Sequence, residues 1–281
     1  MINGLVWSVK NGESVKLKEY DPGYTDGQMK REDAETMMVQ LGKELGELQE
    51  LLFAARQQSV LMVLQGMDTS GKDGTIRHVF SAINPQGCIV HAFKQPTEIE
   101  LAHDFLWRVH AVTPGKGVIG IFNRSHYEDV LIARVHDLVP EKVWRGRYEE
   151  INHFERLLVD NGTILLKFFL YISYEEQTER LQARVQEKDK SWKISASDFA
   201  ERKYWKVYQE AYEDALSKCN TDAAPWYIVP ANHKWYRNLA IAHTLVHELR
   251  KYKDRWTAGL QERGRQELEM LRHIQEEQKA K

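Results

Sequence analysis

Val60-Leu61-Met62-Val63-Leu64-Gln65-Gly66-Met67-Asp68-Thr69-Ser70-Gly71-Lys72-Asp73-Gly74 reads as a buried strand running into a glycine-rich loop. The segment from Val60 to Leu64 is short, apolar and partly β-branched, as a parallel strand covered on both faces must be. Helical spacing follows over 75–83. Strand, glycine loop and helix in that order are the context that a phosphate-binding loop requires, and they point to phosphoryl transfer. Gly66 and Gly71 let the backbone turn tightly enough for successive N–H groups to face inward, at the positive end of the following helix. Met67, Thr69, Ser70, Gly71 and Asp73 complete the phosphate cradle, and Lys72 adds a mobile point charge. In the common form of the motif, GxxxxGK[ST], the last residue gives a hydroxyl to magnesium; here that position is Asp73, followed by Gly74. The metal needs another oxygen ligand, and Asp68, a carboxylate inside the loop, supplies one.

The 281 residues suit one large α/β domain with terminal extensions. Lys plus Arg number 39 against 41 Asp plus Glu, so no global basic field exists to recruit nucleic acid, and any polyanion site must be local. No apolar run approaches the length of a membrane span and the N-terminus lacks a secretory pattern, so a cytoplasmic protein with no membrane partner is expected. Cys88 and Cys219 show no metal spacing and read as reduced structural thiols. His243 and His247 share a helical face, but HTLVH lacks the glutamate that a zinc protease motif would need.

Working outward, residues 1–32 form an aperiodic arm, 33–250 a kinase domain and 251–281 a helical extension. Apolar residues recur at helical steps over 33–57. After the loop, strands are expected over 88–93, 117–122, 163–172 and 226–229. Helices fall over 99–112, 125–135, 141–159, 174–185 and 197–216. That alternation predicts an α/β fold whose five-stranded parallel sheet is sandwiched by helices, with ligands gathering at the strand carboxyl ends. The charged run Glu187-Lys188-Asp189-Lys190-Ser191-Trp192-Lys193 lies between two helical patterns and reads as part of a lid over about 186–196 that excludes water from the transferring group. One long helix is expected over 238–281, with Leu245, Leu249, Tyr252, Trp256 and Leu260 on one face and a polar, protruding end.

Seven segments together resemble polyphosphate kinase family 2: GMDTSGKDG at 66–74, NPQG at 84–87, FKQPT at 93–97, HDFLWR at 103–108, IFNRSHYED at 121–129, SWKIS at 191–195 and APW at 224–226. The resemblance spans nearly the whole chain. It implies a P-loop kinase fold with a helical lid, and reversible transfer of a phosphoryl group between inorganic polyphosphate and a nucleotide. Magnesium is the implied cofactor, with manganese as a substitute. Asp68 carries over as metal and catalytic residue, Lys72 and Arg124 as phosphate-facing catalytic cations. Arg134, Arg184 and Lys193 match further polyphosphate-binding positions, and Lys94, Asp104, Arg108, Asn123, Arg124 and Glu128 match the nucleotide site. Many members carry Asp-Arg-Ser where this chain has Asn123-Arg124-Ser125, so the metal loses a carboxylate there and leans on Asp68. The Asn-Arg-Ser form is similar to the subgroup that uses both AMP and ADP, so adenine nucleotides are the expected partners, with guanine nucleotides as the alternative. Trp107 in HDFLWR reads as core packing. Base rates favour a homo-oligomer, a dimer or a tetramer. Two rivals remain: an ATP-dependent nucleoside monophosphate kinase similar to thymidylate kinase, and a noncatalytic nucleotide-binding switch.

Overall fold

The computed structural model describes residues 4–27, 29–186 and 196–279. Its centre is β2 (Ser59–Gln65), whose seven residues are all buried, as the continuous apolar run requires. β2 lies between β4 (Ile119–Asn123) and β5 (Thr163–Tyr171), parallel to both, with Leu64 opposite Asn123 and Phe168. β3 (Cys88–Ala92) extends the sheet beyond β4, and β6 (Trp226–Pro230) extends it beyond β5.

The sheet has six strands rather than the expected five, because Trp7–Ser8 in the arm forms β1 and pairs antiparallel with β6. Two residues are too short to show a strand period, so the sequence pattern gave no sign of it. The arm is held by more than this pairing. Leu5, Val6, Val9, Val15 and Leu17 are buried, and the backbone N–H groups of Val15 and Leu17 donate to Ser217 and Glu213.

The helices follow the expected alternation with local corrections. α1 (Arg31–Ala55) packs on a later helix, α10 (Lys234–Arg250), and α2 (Lys72–Val79) opens directly from the loop. The single helix expected over 99–112 is two short turns, α3 (Glu98–Leu101) and α4 (Trp107–His110). Asp104 breaks it: its carboxylate accepts from the Leu106 N–H at 3.0 Å, a local bond that competes with helix continuation. Trp107 is exposed and stacked on His103 rather than packed inside.

α5 (Glu128–Val135), α6 (Glu141–Asp160) and α9 (Trp205–Lys218) pack together, while α7 (Tyr174–Gln186) follows β5 and α8 (Ala196–Glu201) precedes α9. The long terminal helix is broken: α10 ends at Arg250 and α11 (Lys253–Lys279) restarts at Lys253. The break lets Trp256 turn inward, where it is fully buried and its Nε1 donates to Gln58 Oε1 at 2.6 Å. Burying such a side chain contributes roughly 1.5–3 kcal/mol, comparable to the cost of losing a few helical bonds at about 0.5–1.5 kcal/mol each, and the bond to Gln58 adds to it. Over 261–276, α11 is exposed.

One charge interrupts the apolar β5. Lys167 is fully buried and donates to Glu155 at 2.6 Å, to the Tyr127 hydroxyl at 3.0 Å and to the Cys219 carbonyl at 2.6 Å. Glu155 also accepts from Tyr127 at 2.7 Å and sits 3.1 Å from His126 Nε2. Burial alone would raise the Glu155 pKa, but Lys167 and His126 outweigh it and hold the carboxyl below its ordinary range. This cluster fixes the start of the segment that follows β4.

Candidate active site

At the carboxyl end of β2 the chain must turn sharply. Gly66 has φ 152°, and a Cβ there would lie 2.7 Å from the Leu170 carbonyl, so the loop can pass β5 only as glycine. Gly71 caps α2 with φ 101°, and the first bond of the new helix runs from Thr75 N–H to the Gly71 carbonyl at 2.9 Å. The N–H groups of the first turn are therefore left for a ligand. The hydroxyls of Thr69, Ser70 and Thr75 are buried with no hydrogen-bond partner among the described residues. Buried polar atoms without partners mark a site that a ligand completes.

Asp68, Lys72 and Asp73 from this loop face Lys94 and Asn123, from the ends of β3 and β4, across a cleft of about 760 Å³. Arg124 and Arg184 add two guanidinium groups to its walls. The cleft lies at the strand carboxyl ends, as the parallel topology dictates. Lys72 lies back along its own loop and donates to the carbonyls of Gly66 at 2.8 Å and Met67 at 3.3 Å. Burial and then the nearby Arg124 charge lower its pKa to about 8.

Arg124 adopts φ 62°, a left-handed conformation unfavourable for a non-glycine residue by roughly 1–2 kcal/mol. That turn brings its guanidinium to Asp68 at 2.7 Å and to Glu128 at 3.5 Å. Burial opposes the charge, but Glu128 and Asp68 more than offset it and raise the Arg124 pKa above its ordinary value. Reoriented to satisfy its donors and acceptors, the buried Gln65 amide donates to Glu128 at 3.1 Å, so the ion pair is braced from beneath the sheet end. Asn123 donates to Asp73 at 2.6 Å, joining the strand end to the head of α2.

Arg184 pairs with Asp198 at 2.8 Å across the ends of α7 and α8. Burial, then the Asp68 charge, raises the Asp198 pKa. The intervening lid segment with Lys193 lies outside the described residues.

Among the described residues, six expected ones, Met67, Ser70, Glu128, Arg108, Asp104 and Arg134, are not on the cleft wall. Arg108 is buried beneath it and donates to the Lys94 carbonyl at 2.9 Å, so it acts on the site through Lys94. Asp104 is exposed in its turn. Arg134 is held at 2.6 Å by Asp214 and lies over the Trp144 ring.

Sequence reading missed Gln177, Arg180 and Arg237. Gln177 donates to the Asp68 carbonyl at 3.1 Å, and the two arginines hold other loop carbonyls. No motif carries them; each meets the loop from more than a hundred residues away, although Arg180 follows Glu176 at ion-pair spacing on α7.

For a metal, no group of three or more His, Cys, Asp or Glu converges among the described residues. Asp68 Oδ2 has no hydrogen-bond partner among those residues, and with Asp73 it offers carboxylate oxygen to the cleft. Such a donor set could hold a hard cation completed by phosphate oxygens, and does not make an all-protein cage.

The profile of the family Polyphosphate kinase 2 (PPK2) matches residues 28–256. The chain is 52% identical to the AMP/ADP-polyphosphate phosphotransferase of Meiothermus ruber, over 83% of this chain and 88% of that protein. It is 41% identical to the ADP-polyphosphate phosphotransferase of Rhodopseudomonas palustris, over 95% and 96% of the two chains. The crystal structure of polyphosphate kinase 2 from Arthrobacter aurescens TC1 superposes with a TM-score of 0.82 at 41% identity, covering 86% of this chain and 91% of that one.

Proposed function

The chain belongs to the polyphosphate kinase 2 family, and we propose that it carries the terminal phosphoryl group of inorganic polyphosphate to AMP and to ADP, reversibly, giving ADP and ATP. The observation that carries this reading is the gathering of Lys72, Arg124 and Arg184 around one cleft beside the phosphate loop and Asp68. The name of the Meiothermus ruber relative, which gives both AMP and ADP, supports dual acceptor use.

In the reaction, an oxygen of the acceptor's terminal phosphate attacks the last phosphorus of the polyphosphate chain. The bond to the next phosphate breaks, and its electron pair leaves on that phosphate's oxygen, so the chain shortens by one unit. The attacking oxygen is already anionic, so no general base is needed, and catalysis rests on positioning and charge. The loop N–H groups and Lys72 hold the donor phosphates. Arg124 and Arg184 turn from their internal carboxylates to the equatorial oxygens, where charge develops. Lys94, held from behind by Arg108, meets the acceptor phosphate, and Asn123 orients that side of the cleft. Asp68 would hold magnesium, with manganese as a substitute, together with phosphate oxygens; when bound, the ion would supply positive charge that offsets the charge of the phosphates.

Adenine nucleotides as the favoured acceptors, a cytoplasmic location and a symmetric oligomer belong to the same reading. No described helix is long and apolar enough to cross a membrane.

The test is nucleotide chromatography after incubation with magnesium, polyphosphate and either AMP or ADP, beside reactions with ATP as donor and with no donor. ADP then ATP from AMP, and ATP from ADP, both dependent on polyphosphate, are expected. Product from AMP with ATP alone would replace this reading with an ordinary nucleoside monophosphate kinase.

A further inference from the structure

Two guanidinium groups on the wall of the same cleft brace the phosphate loop, and the reaction as derived does not use them. Arg180, from α7, donates through Nη1 to the carbonyls of Thr69 at 2.9 Å and Ser70 at 3.1 Å. Its Nη2 donates to the carbonyls of Ala231 at 2.6 Å and Asn232 at 2.8 Å, just after β6. Arg237, from α10, donates through Nη1 to the same Ser70 carbonyl at 3.1 Å, while Nε and Nη2 donate to Asn238 at 3.2 and 2.9 Å. The Ser70 carbonyl is therefore held by two cations at once.

The described residues contain no cis peptide bond. In a trans peptide the N–H points opposite to the C=O, so fixing the Ser70 carbonyl against the arginines turns the Gly71 N–H away from them, at the open first turn of α2. The contact also explains the glycine. A Cβ on Gly71 would lie 1.9 Å from Arg237 Nη1, so Arg237 can reach the loop only where no side chain stands.

We propose that Arg180 and Arg237 are positioning residues that clamp the carbonyl face of the phosphate loop, so that its N–H face is set for the donor phosphates before they arrive. The proposal rests on the reading that the donor is a polyphosphate bound at this loop. Arg180 has Glu176 as counter-ion at 2.6 Å, whereas Arg237 has no ion pair among the described residues and is 2% exposed. Burial, and then the Arg180 charge, pulls the Arg237 pKa down to about 9. Its positive charge is thus poorly compensated until an anion occupies the loop, which adds long-range attraction to the geometric effect.

Structural glue alone and a clamp make different demands. Glue would lower melting temperature and change all kinetic constants alike. A clamp weakens capture of the donor and leaves capture of the nucleotide nearly unchanged, because Lys94 and Asn123 stand on other strand ends.

The experiment uses the full chain as wild type, Arg237→Gln, Arg237→Lys and Arg180→Lys, with inorganic triphosphate binding measured by calorimetry and KM for polyphosphate and for ADP measured by turnover. Loss of a charge-assisted contact predicts about ten-fold weaker triphosphate binding for Arg237→Gln, partial recovery in Arg237→Lys, and a KM for ADP within about two-fold of wild type. Triphosphate affinity equal to wild type in folded Arg237→Gln, or equal losses for triphosphate and ADP, would overturn the clamp. If Arg237→Gln does not fold, the two lysine variants decide, since each keeps the charge but offers a point donor in place of the planar guanidinium fork. Wild-type protein that binds triphosphate but makes no polyphosphate-dependent product would instead count against the proposed reaction, with the calorimetric comparison still deciding the clamp.

Discussion

Replacing Asn123 by Asp is the most informative single change, because it exchanges an NH2 for an O⁻ at a contact of 2.6 Å with Asp73. Two costs follow. The hydrogen bond to a carboxylate is lost, roughly 1.5–3 kcal/mol. Two like charges at that separation also repel by about 1.5 kcal/mol at the dielectric of water, the appropriate limit for a pair facing the open cleft. The side chains can rotate apart and recover part of this, so a net destabilisation of about 2 kcal/mol is expected. For a chain of this size that lowers the melting temperature by roughly 4–8 °C. A divalent cation between Asp73 and the new carboxylate reverses the repulsion, and a ligand at a hundred times its Kd adds about 2.7 kcal/mol. Differential scanning calorimetry in EDTA and in millimolar magnesium, with potassium chloride matched for ionic strength, reads both effects. The variant should melt below wild type in EDTA and regain most of the difference with magnesium. Equal melting in EDTA, or the same magnesium shift in both proteins, would refute the Asn123–Asp73 argument.

Asp68→Asn should lower kcat by roughly 10²–10³, the scale of a lost transition-state contact, while melting within about 3 °C of wild type, because its ion pair with Arg124 is partly solvated; near-normal turnover in stopped assays would remove Asp68 from the metal site. The lowered Lys72 pKa of about 8 fixes a sign: the free protein carries this charge below pH 8 and loses it above, so KM for polyphosphate should rise as pH increases through 8 and binding there should take up a proton. In stability the same lysine acts oppositely, favouring the folded state progressively between pH 8 and its ordinary value of 10.5, and a KM that stays flat up to pH 9.5 would reject the assignment. Lys167→Met should destabilise by about 3–5 kcal/mol in urea unfolding by leaving Glu155 buried and unpaired, and a second change of Glu155 to Met should restore much of the loss; additive losses would show that the ion pair is not the cause.

What the sequence made legible was whatever repeats or is spelled locally. The β2 run, the glycines at 66 and 71 and the alternation of strands and helices each carry their own period or steric requirement, so the sheet, the loop and the end of the sheet that holds the site could be read directly. Partners could not. Ser70 meets Arg237 across 167 residues, and no local pattern in HKWYR marks Arg237 as a loop brace. Arg108 was legible within a matching motif and Arg134 as a further matching arginine position, but the Lys94 carbonyl and Asp214, which hold them, lie 14 and 80 residues away. Breaks in helices were hidden for another reason. At Asp104 and near Trp256 the helical period continues, while a side-chain bond or the burial of one indole decides against it.

The internal pairings of the site bear on how donor and metal are linked. Arg124 is satisfied by Asp68 and Glu128, Arg184 by Asp198, and Lys72 by two loop carbonyls. On the proposed reading, Arg124 and Arg184 therefore each have a carboxylate as stand-in for the substrate, and donor binding at these two exchanges one anion for another in place of neutralising a bare charge. Such exchange lowers the net affinity for any single phosphate, which suits a donor that must slide and be released one unit shorter. It also frees carboxylate oxygen. When Arg124 leaves Asp68 for a phosphate, Asp68 Oδ1 becomes available beside Oδ2 at the position where the proposed magnesium would join the same phosphates. On that reading donor and metal would favour the same rearrangement, and by linkage each would strengthen the other's binding by an equal factor. Asn123 fits this arrangement: with a neutral amide beside Asp73, the cleft holds less fixed negative charge, and the polyanion brings with it much of the charge that holds the metal.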